Sequence, residues 1–91
     1  MTKGKNVLVM TMGSKRDRVE IMADILGLCS EPRNKTHVMY GTNLSWKMLQ
    51  QYLSELQSRK LLEKQNQSKT YVTTDRGLDF VEKWKELQKL L

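Results

Sequence analysis

Apolar residues recur at helical spacing through the first half of the chain, give way to two β-prone runs, and return at helical spacing to the end. From about Lys15 to Cys29, the residues Val19, Met22, Ile25, Leu26 and Cys29 fall three or four apart, which predicts a helix with one core-facing stripe. Ile21 and Leu28 lie off that stripe and are expected to serve a second contact surface, either the terminal helix or another subunit. Ser14 is the expected N-cap, with Asp17 three residues on in the place of a capping-box acid. The only proline, Pro32, ends this helix. Lys35 to Tyr40 can then make one short helix, with Val38, Met39 and Tyr40 as its apolar members and Gly41 as its stop.

Thr42, Asn43 and Leu44 form a tight turn into the longest polar-faced helix, residues 45–59, capped by Ser45. Steps of about 100° per residue put Trp46, Leu49, Tyr52, Leu53 and Leu56 on one arc. Lys47, Gln50, Gln51, Ser54 and Ser58 occupy the opposite side. Helix, short turn, helix is the helix-turn-helix unit. Leu61, Leu62 and Glu63 begin strand-like material, and Thr70 to Thr74 resume it with the β-branched and aromatic residues that strands favour. Between them Lys64 to Lys69 hold only polar side chains, with a lysine at each end. A last helix starts near Asp75 behind the N-cap Thr74. Its Phe80, Trp84, Leu87 and Leu91 form an apolar seam at 4-3-4 spacing, and Leu78 and Leu90 are expected to face the domain's own core. The order predicts an α+β, mostly α, winged helix-turn-helix: three N-terminal helices, a two-stranded wing and a C-terminal helix.

Residues 1–14 read as an N-terminal arm, leaving 15–91 as the folded domain. Either the β-prone Val7 to Met12 is a strand that docks on a sheet edge, or residues 1–11 are an extension with Met12 as the original start. Ninety-one residues suffice for one small core, not two.

Charge changes the picture more than size does. Sixteen Lys and Arg against ten Asp and Glu give a formal +6. The corresponding pI of 9.6 makes a polyanion the leading partner. The exposed face of the 45–59 helix carries one acid, Glu55, where a merely solvated face would mix Glu with Lys. Its amides and lysine are groups that base edges and phosphates can use. Ser45, Lys47, Gln50, Gln51 and Ser54 are therefore the candidate DNA-facing positions of that helix. Lys15, Arg16, Arg18, Lys35, Lys64 and Lys69 are the candidate phosphate contacts, the last two flanking a loop of the kind that straddles a phosphate backbone. Gln can pair bidentately with adenine, a side-chain chemistry compatible with A·T-containing sites.

Other chemistries find little footing. Cys29, the lone cysteine, can neither form an internal bridge nor complete a zinc site and reads as a buried structural residue. His37 has no ligand-spaced partners and reads as solvent-facing or capping. Gly13-Ser14-Lys15 lacks the rest of a phosphate loop. No metal, cofactor or catalytic activity is expected. No run approaches the ~18 apolar residues of a membrane span, and VLVMTM is too short for a secretory core. The expected location is the cytoplasm, at the nucleoid.

Over roughly residues 15–84 the chain resembles the small single-domain archaeal winged helix-turn-helix proteins, distantly similar to the MarR and PadR regulators. The residues that carry this are Val38-Met39-Tyr40, Leu44-Ser45-Trp46, Tyr52-Leu53, Leu61-Leu62-Glu63, and Tyr71, Thr74, Gly77 and Phe80. The resemblance implies a transcriptional regulator or small chromatin-type protein on double-stranded DNA, dimerising through the C-terminal helix at Phe80, Trp84, Leu87 and Leu91. Related chains usually place Gly where this one has Lys60, which demands a strained lysine or a reshaped helix end. Some relatives carry a longer C-terminal helix. Winged helices also serve as protein-interaction adaptors within polymerase and other assemblies, and this is the rival reading. RNA ranks lowest, because the A-form major groove is too narrow for a helix.

Overall fold

The computed structural model describes residues 17–91. In chain order these form α1 (Arg18–Leu28), β1 (Arg33–Asn34), α2 (Lys35–Thr42), α3 (Trp46–Ser58), β2 (Leu62–Gln65), β3 (Thr70–Thr73) and α4 (Asp75–Leu90). The strands make one antiparallel sheet in the order β1-β3-β2. Four helices and a small sheet are the expected α+β, mostly helical class. The wing hairpin has the expected two strands, β2 and β3, registered from Leu62 opposite Thr73 to Gln65 opposite Thr70. The added strand β1 pairs Arg33 with Tyr71 and Asn34 with Thr70.

The helices start where short polar side chains can accept a backbone N–H that has no partner inside the helix. Asn34, Ser45 and Thr74 accept from the amides of His37, Met48 and Gly77. The first helix differs from expectation. It begins at Arg18 rather than Lys15, with Asp17 in extended geometry as N-cap, accepting from the amide of Glu20 at 2.8 Å. The Asp17–Glu20 pair is thus the capping-box spacing in this helix; the expected cap Ser14 lies outside the described residues. Gly41 does not stop α2. The helix runs on to Thr42 and is closed by Asn43 in the left-handed region, at φ 58°. Leu28 occupies the space a side chain at position 41 would need.

The core gathers Ile21, Met22, Ile25, Leu26 and Cys29 from α1, Val38 from α2, Leu49, Leu53 and Leu56 from α3, and Leu61, Leu62 and Tyr71 around the sheet. One assignment on α1 differs: Val19, expected on the core stripe, is 47% exposed, while Ile21, expected on a second contact surface, is buried. The stripe broadens because α1 packs on α2, α4 and β3 at once and must bury more than one face. Leu78 and Leu90 are exposed instead of facing the core, and so is Tyr40, at 76%. On α4 the inward contacts are made by Phe80 and Val81.

The C-terminal carbonyls of α1 are satisfied from outside the helix, as buried polar groups must be. Thr73 Oγ1 donates to the Leu26 carbonyl at 2.7 Å and the Thr73 amide to that of Cys29 at 2.8 Å. Arg33 Nε donates to the carbonyl of Leu28 at 3.2 Å. Cys29 is fully buried, and burial pushes its thiol up to about 11, with Arg33 opposing. It is an inert core residue, as expected.

The α3–β2 corner settles the question posed by Lys60. The amide of Leu61 donates to the Leu56 carbonyl at 2.9 Å and that of Lys60 to Gln57 at 3.0 Å. Those two bonds define a Schellman end, and Lys60 takes the left-handed position at φ 64°. A side chain in that geometry costs on the order of 1 kcal/mol. Leu56 and Leu61, on either side of this turn, are both buried in the core.

Candidate nucleic-acid interface

Burying Leu49, Leu53 and Leu56 fixes the rotation of α3, and with it the residues that must point away. Lys47, Gln50, Gln51, Ser54 and Ser58 are all exposed. With Glu55 they line one shallow depression along the helix. A second depression, between α3 and the sheet, is lined by Lys35, Gln50, Leu53, Ser54, Gln57 and Tyr71. Lys35 is therefore brought to the edge of the α3 face. Its Nζ lies 5.0 Å from the centre of the Trp46 ring, a cation–π contact that holds both side chains at the start of α3. Trp46, expected on the apolar arc, is half exposed as a result. Ser45 sits at the N-terminus of the same helix, its Oγ engaged as the cap.

Lys64 and Lys69 are exposed on the wing. Lys64 is a strand residue opposite Tyr71. Lys69 closes the four-residue turn at φ 56°, a left-handed conformation that Gly or Asn adopts at less cost. The turn is braced by side chains: Thr70 Oγ1 donates to Gln65 Oε1 at 3.0 Å and shares a hydrogen bond with Ser68 Oγ at 2.7 Å. The wing thus presents Lys69 from an internally bonded loop.

Arg18 is committed to an ion pair with Glu55. The same carboxylate accepts from Arg59 Nε at 3.0 Å. The sequence reading did not single out Arg59, although its i,i+4 spacing from Glu55 was a usable signal. Lys15 and Arg16 lie outside the described residues. Among the described residues, no group of His, Cys, Asp and Glu is placed to hold a metal ion, and no helix is long and apolar enough to cross a membrane.

On the far side of Glu55, α1 and α4 frame a groove of about 710 Å³ whose walls include Val19, Met22, Phe80, Trp84 and Leu87. Of the expected seam on α4, Phe80 packs against the chain's own core, Trp84 is half-buried in this groove, and Leu87 and Leu91 are exposed.

The profile of the winged helix-turn-helix family matches residues 15–91. The chain belongs to that family. A solved structure similar to this chain is the crystal structure of Sso10a-2, a DNA-binding protein from Sulfolobus solfataricus. It is 29% identical, superposes with a TM-score of 0.71, and the match covers 82% of this chain and 81% of that one. Among curated proteins none matches. The winged-helix frame makes sense of the Tyr71, Thr74, Gly77 spacing. Tyr71 is buried between sheet and core. Thr74 Oγ1 donates to the Lys60 carbonyl at 2.7 Å while accepting from the Gly77 amide at 3.1 Å. Gly77 lets α4 pass against the carbonyl of Leu61. These three residues latch the wing and the terminal helix to the end of α3, and so fix the wing relative to the α3 face.

Proposed function

We propose that the chain binds double-stranded DNA and acts as a transcriptional regulator, with α3 in the major groove and the wing along the flanking phosphates. One observation carries this reading: α3 exposes a continuous face of Lys47, Gln50, Gln51, Ser54 and Ser58, and the one acid beside it is already engaged by two arginines. Structural similarity to a DNA-binding protein supports it. Residues 15–91 act as the binding domain, and residues 1–14 as an arm. Lys47, Gln50, Gln51 and Ser54 read bases. Lys15, Arg16, Arg18, Lys35, Lys64 and Lys69 contact phosphate. The role is one of binding rather than catalysis, carried out in the cytoplasm at the nucleoid.

Base reading and phosphate anchoring predict different mutants. Gln51→Ala is expected to cost on the order of 1–3 kcal/mol on the preferred site and little on random duplex. Lys69→Ala is expected to weaken both about equally and flatten the salt dependence by roughly one unit of slope. Titration of both variants on a selected site and a scrambled one makes the comparison. If Gln51→Ala and Lys47→Ala keep wild-type affinity and site preference while folded, α3 does not read DNA and the adaptor role becomes the better account.

The protein is also proposed to form a homodimer through α4. Leu87, Leu90 and Leu91 leave the end of that helix apolar and exposed, beside the groove that holds Trp84. A two-fold dimer would place its α3 helices on half-sites about 34–36 Å apart. Trp84→Glu is expected to sediment as a folded monomer. A wild type that stays monomeric at high concentration would remove the dimer while leaving DNA binding intact.

A further inference from the structure

The end of α3 holds a group of charges whose geometry differs from that of the scattered surface lysines. Glu55 is the only acid on the helix. Its Oε2 is shared by Arg18, from the first turn of α1, and Arg59, from the C-cap of α3 itself. The burial is graded: the Glu55 side chain is 23% exposed, those of Arg18 and Arg59 58% and 56%. The carboxylate therefore lies underneath and the two guanidiniums stand above it. One carboxylate against two guanidiniums leaves a net positive charge. Each guanidinium has five N–H donors. Arg59 uses Nε on Glu55 and Arg18 a terminal nitrogen, so outward-facing donors remain on both. Glu55 also lines the depression that runs along the α3 face with Lys47, Gln51 and Ser58, while Arg18 and Arg59 line the adjoining groove between α1 and α4 with Arg76, Asp79 and Lys83.

We infer that Arg18 and Arg59 form a two-pronged phosphate site at the edge of the α3 face, and that Glu55 is its positioning residue. The inference rests on the duplex-binding reading above and adds to it a contact from Arg59 and a role for an acid. Guanidinium forks suit phosphate oxygens because two parallel N–H groups meet two oxygens. A free arginine loses much side-chain freedom when it docks, whereas one already held on Glu55 has lost part of it beforehand. The tether also spans elements. Arg18 belongs to α1, so the site fixes the start of the domain to the end of the helix that faces the groove.

The test turns on a sign. If Glu55 were merely an acid left beside a polyanion, Glu55→Gln would remove repulsion and tighten binding to duplex. If it positions the two arginines, the same isosteric change weakens binding despite the gain in net positive charge, by about threefold to tenfold for two long side chains that must then be ordered on docking. The measurement is affinity for a random-sequence duplex across a salt series, for wild type, Glu55→Gln, Arg59→Ala and the double variant. Thermal melts of the same proteins check that each is folded. The site predicts that Arg59→Ala reduces the salt slope by about one. It also predicts that Glu55→Gln costs less in the Arg59→Ala background than in wild type. A wild type without salt-dependent affinity would overturn the duplex reading and this site with it. A wild type that binds, alongside a folded Glu55→Gln that binds as tightly or more tightly, would leave the duplex reading standing and overturn the site alone.

Discussion

Gly77→Ala is expected to lower the stability of the domain by about 3 kcal/mol, near the upper end of what a core can suffer from one added methyl. A Cβ at position 77 would lie 2.2 Å from the carbonyl oxygen of Leu61 and 2.5 Å from Thr73 Cγ2. The first of these is backbone and cannot swing aside. Relief would require α4 to move off the α3–β2 corner, breaking the Thr74 hydrogen bonds to the carbonyls of Lys60 and Leu61 that latch it there. For a domain of this size the melting temperature is expected to fall by roughly 12–24 °C. Gly27 supplies the contrast. It is exposed on α1, and nothing lies within 4 Å of a Cβ built there. Gly27→Ala should therefore raise stability by about 0.5–1 kcal/mol through helix propensity alone. Thermal melts of the two variants check both signs. Equal small effects would show that α4 is not pinned against the wing.

What the sequence made legible was whatever depends on neighbours along the chain. The caps Ser45 and Thr74 were readable because an N-cap needs only the next turn of helix. The polar face of α3 was readable because Leu49, Leu53 and Leu56 repeat at helical spacing and leave one side over. What stayed hidden depends on distant partners. The strand β1 is two residues long and exists because Arg33 and Asn34 meet Tyr71 and Thr70, far along the chain. The exposure of Val19 and the burial of Ile21 follow from several elements packing on α1, which periodicity in α1 does not record. Leu78 and Leu90 lie off the α4 seam, which points them toward the core, but the inward rotation of α4 is taken by Phe80 and Val81. In the candidate site, Lys47, Gln50, Gln51 and Ser54 were found from the helix pattern. Arg59 was overlooked, and its link to Arg18 through Glu55 joins residues that only the tertiary fold brings together.

A cationic face of this domain, built on α3 and the wing, is proposed to dock on the phosphates and bases of duplex DNA. Proteins that neutralise phosphates release condensed counterions, and the affinity then falls as a power of the salt concentration. About six basic side chains in contact, at nearly one ion each, give a slope of log K on log salt of roughly −5. Raising salt from about 50 to about 200 mM is then expected to weaken binding by about a thousandfold. No single substitution proposed for the face has an effect of that size. Fluorescence anisotropy of a labelled random duplex, titrated with the wild-type protein at four or so salt concentrations, reads the slope directly. A slope near −5 is the predicted result; an affinity that is unchanged between low and moderate salt would contradict the claim that this face binds DNA.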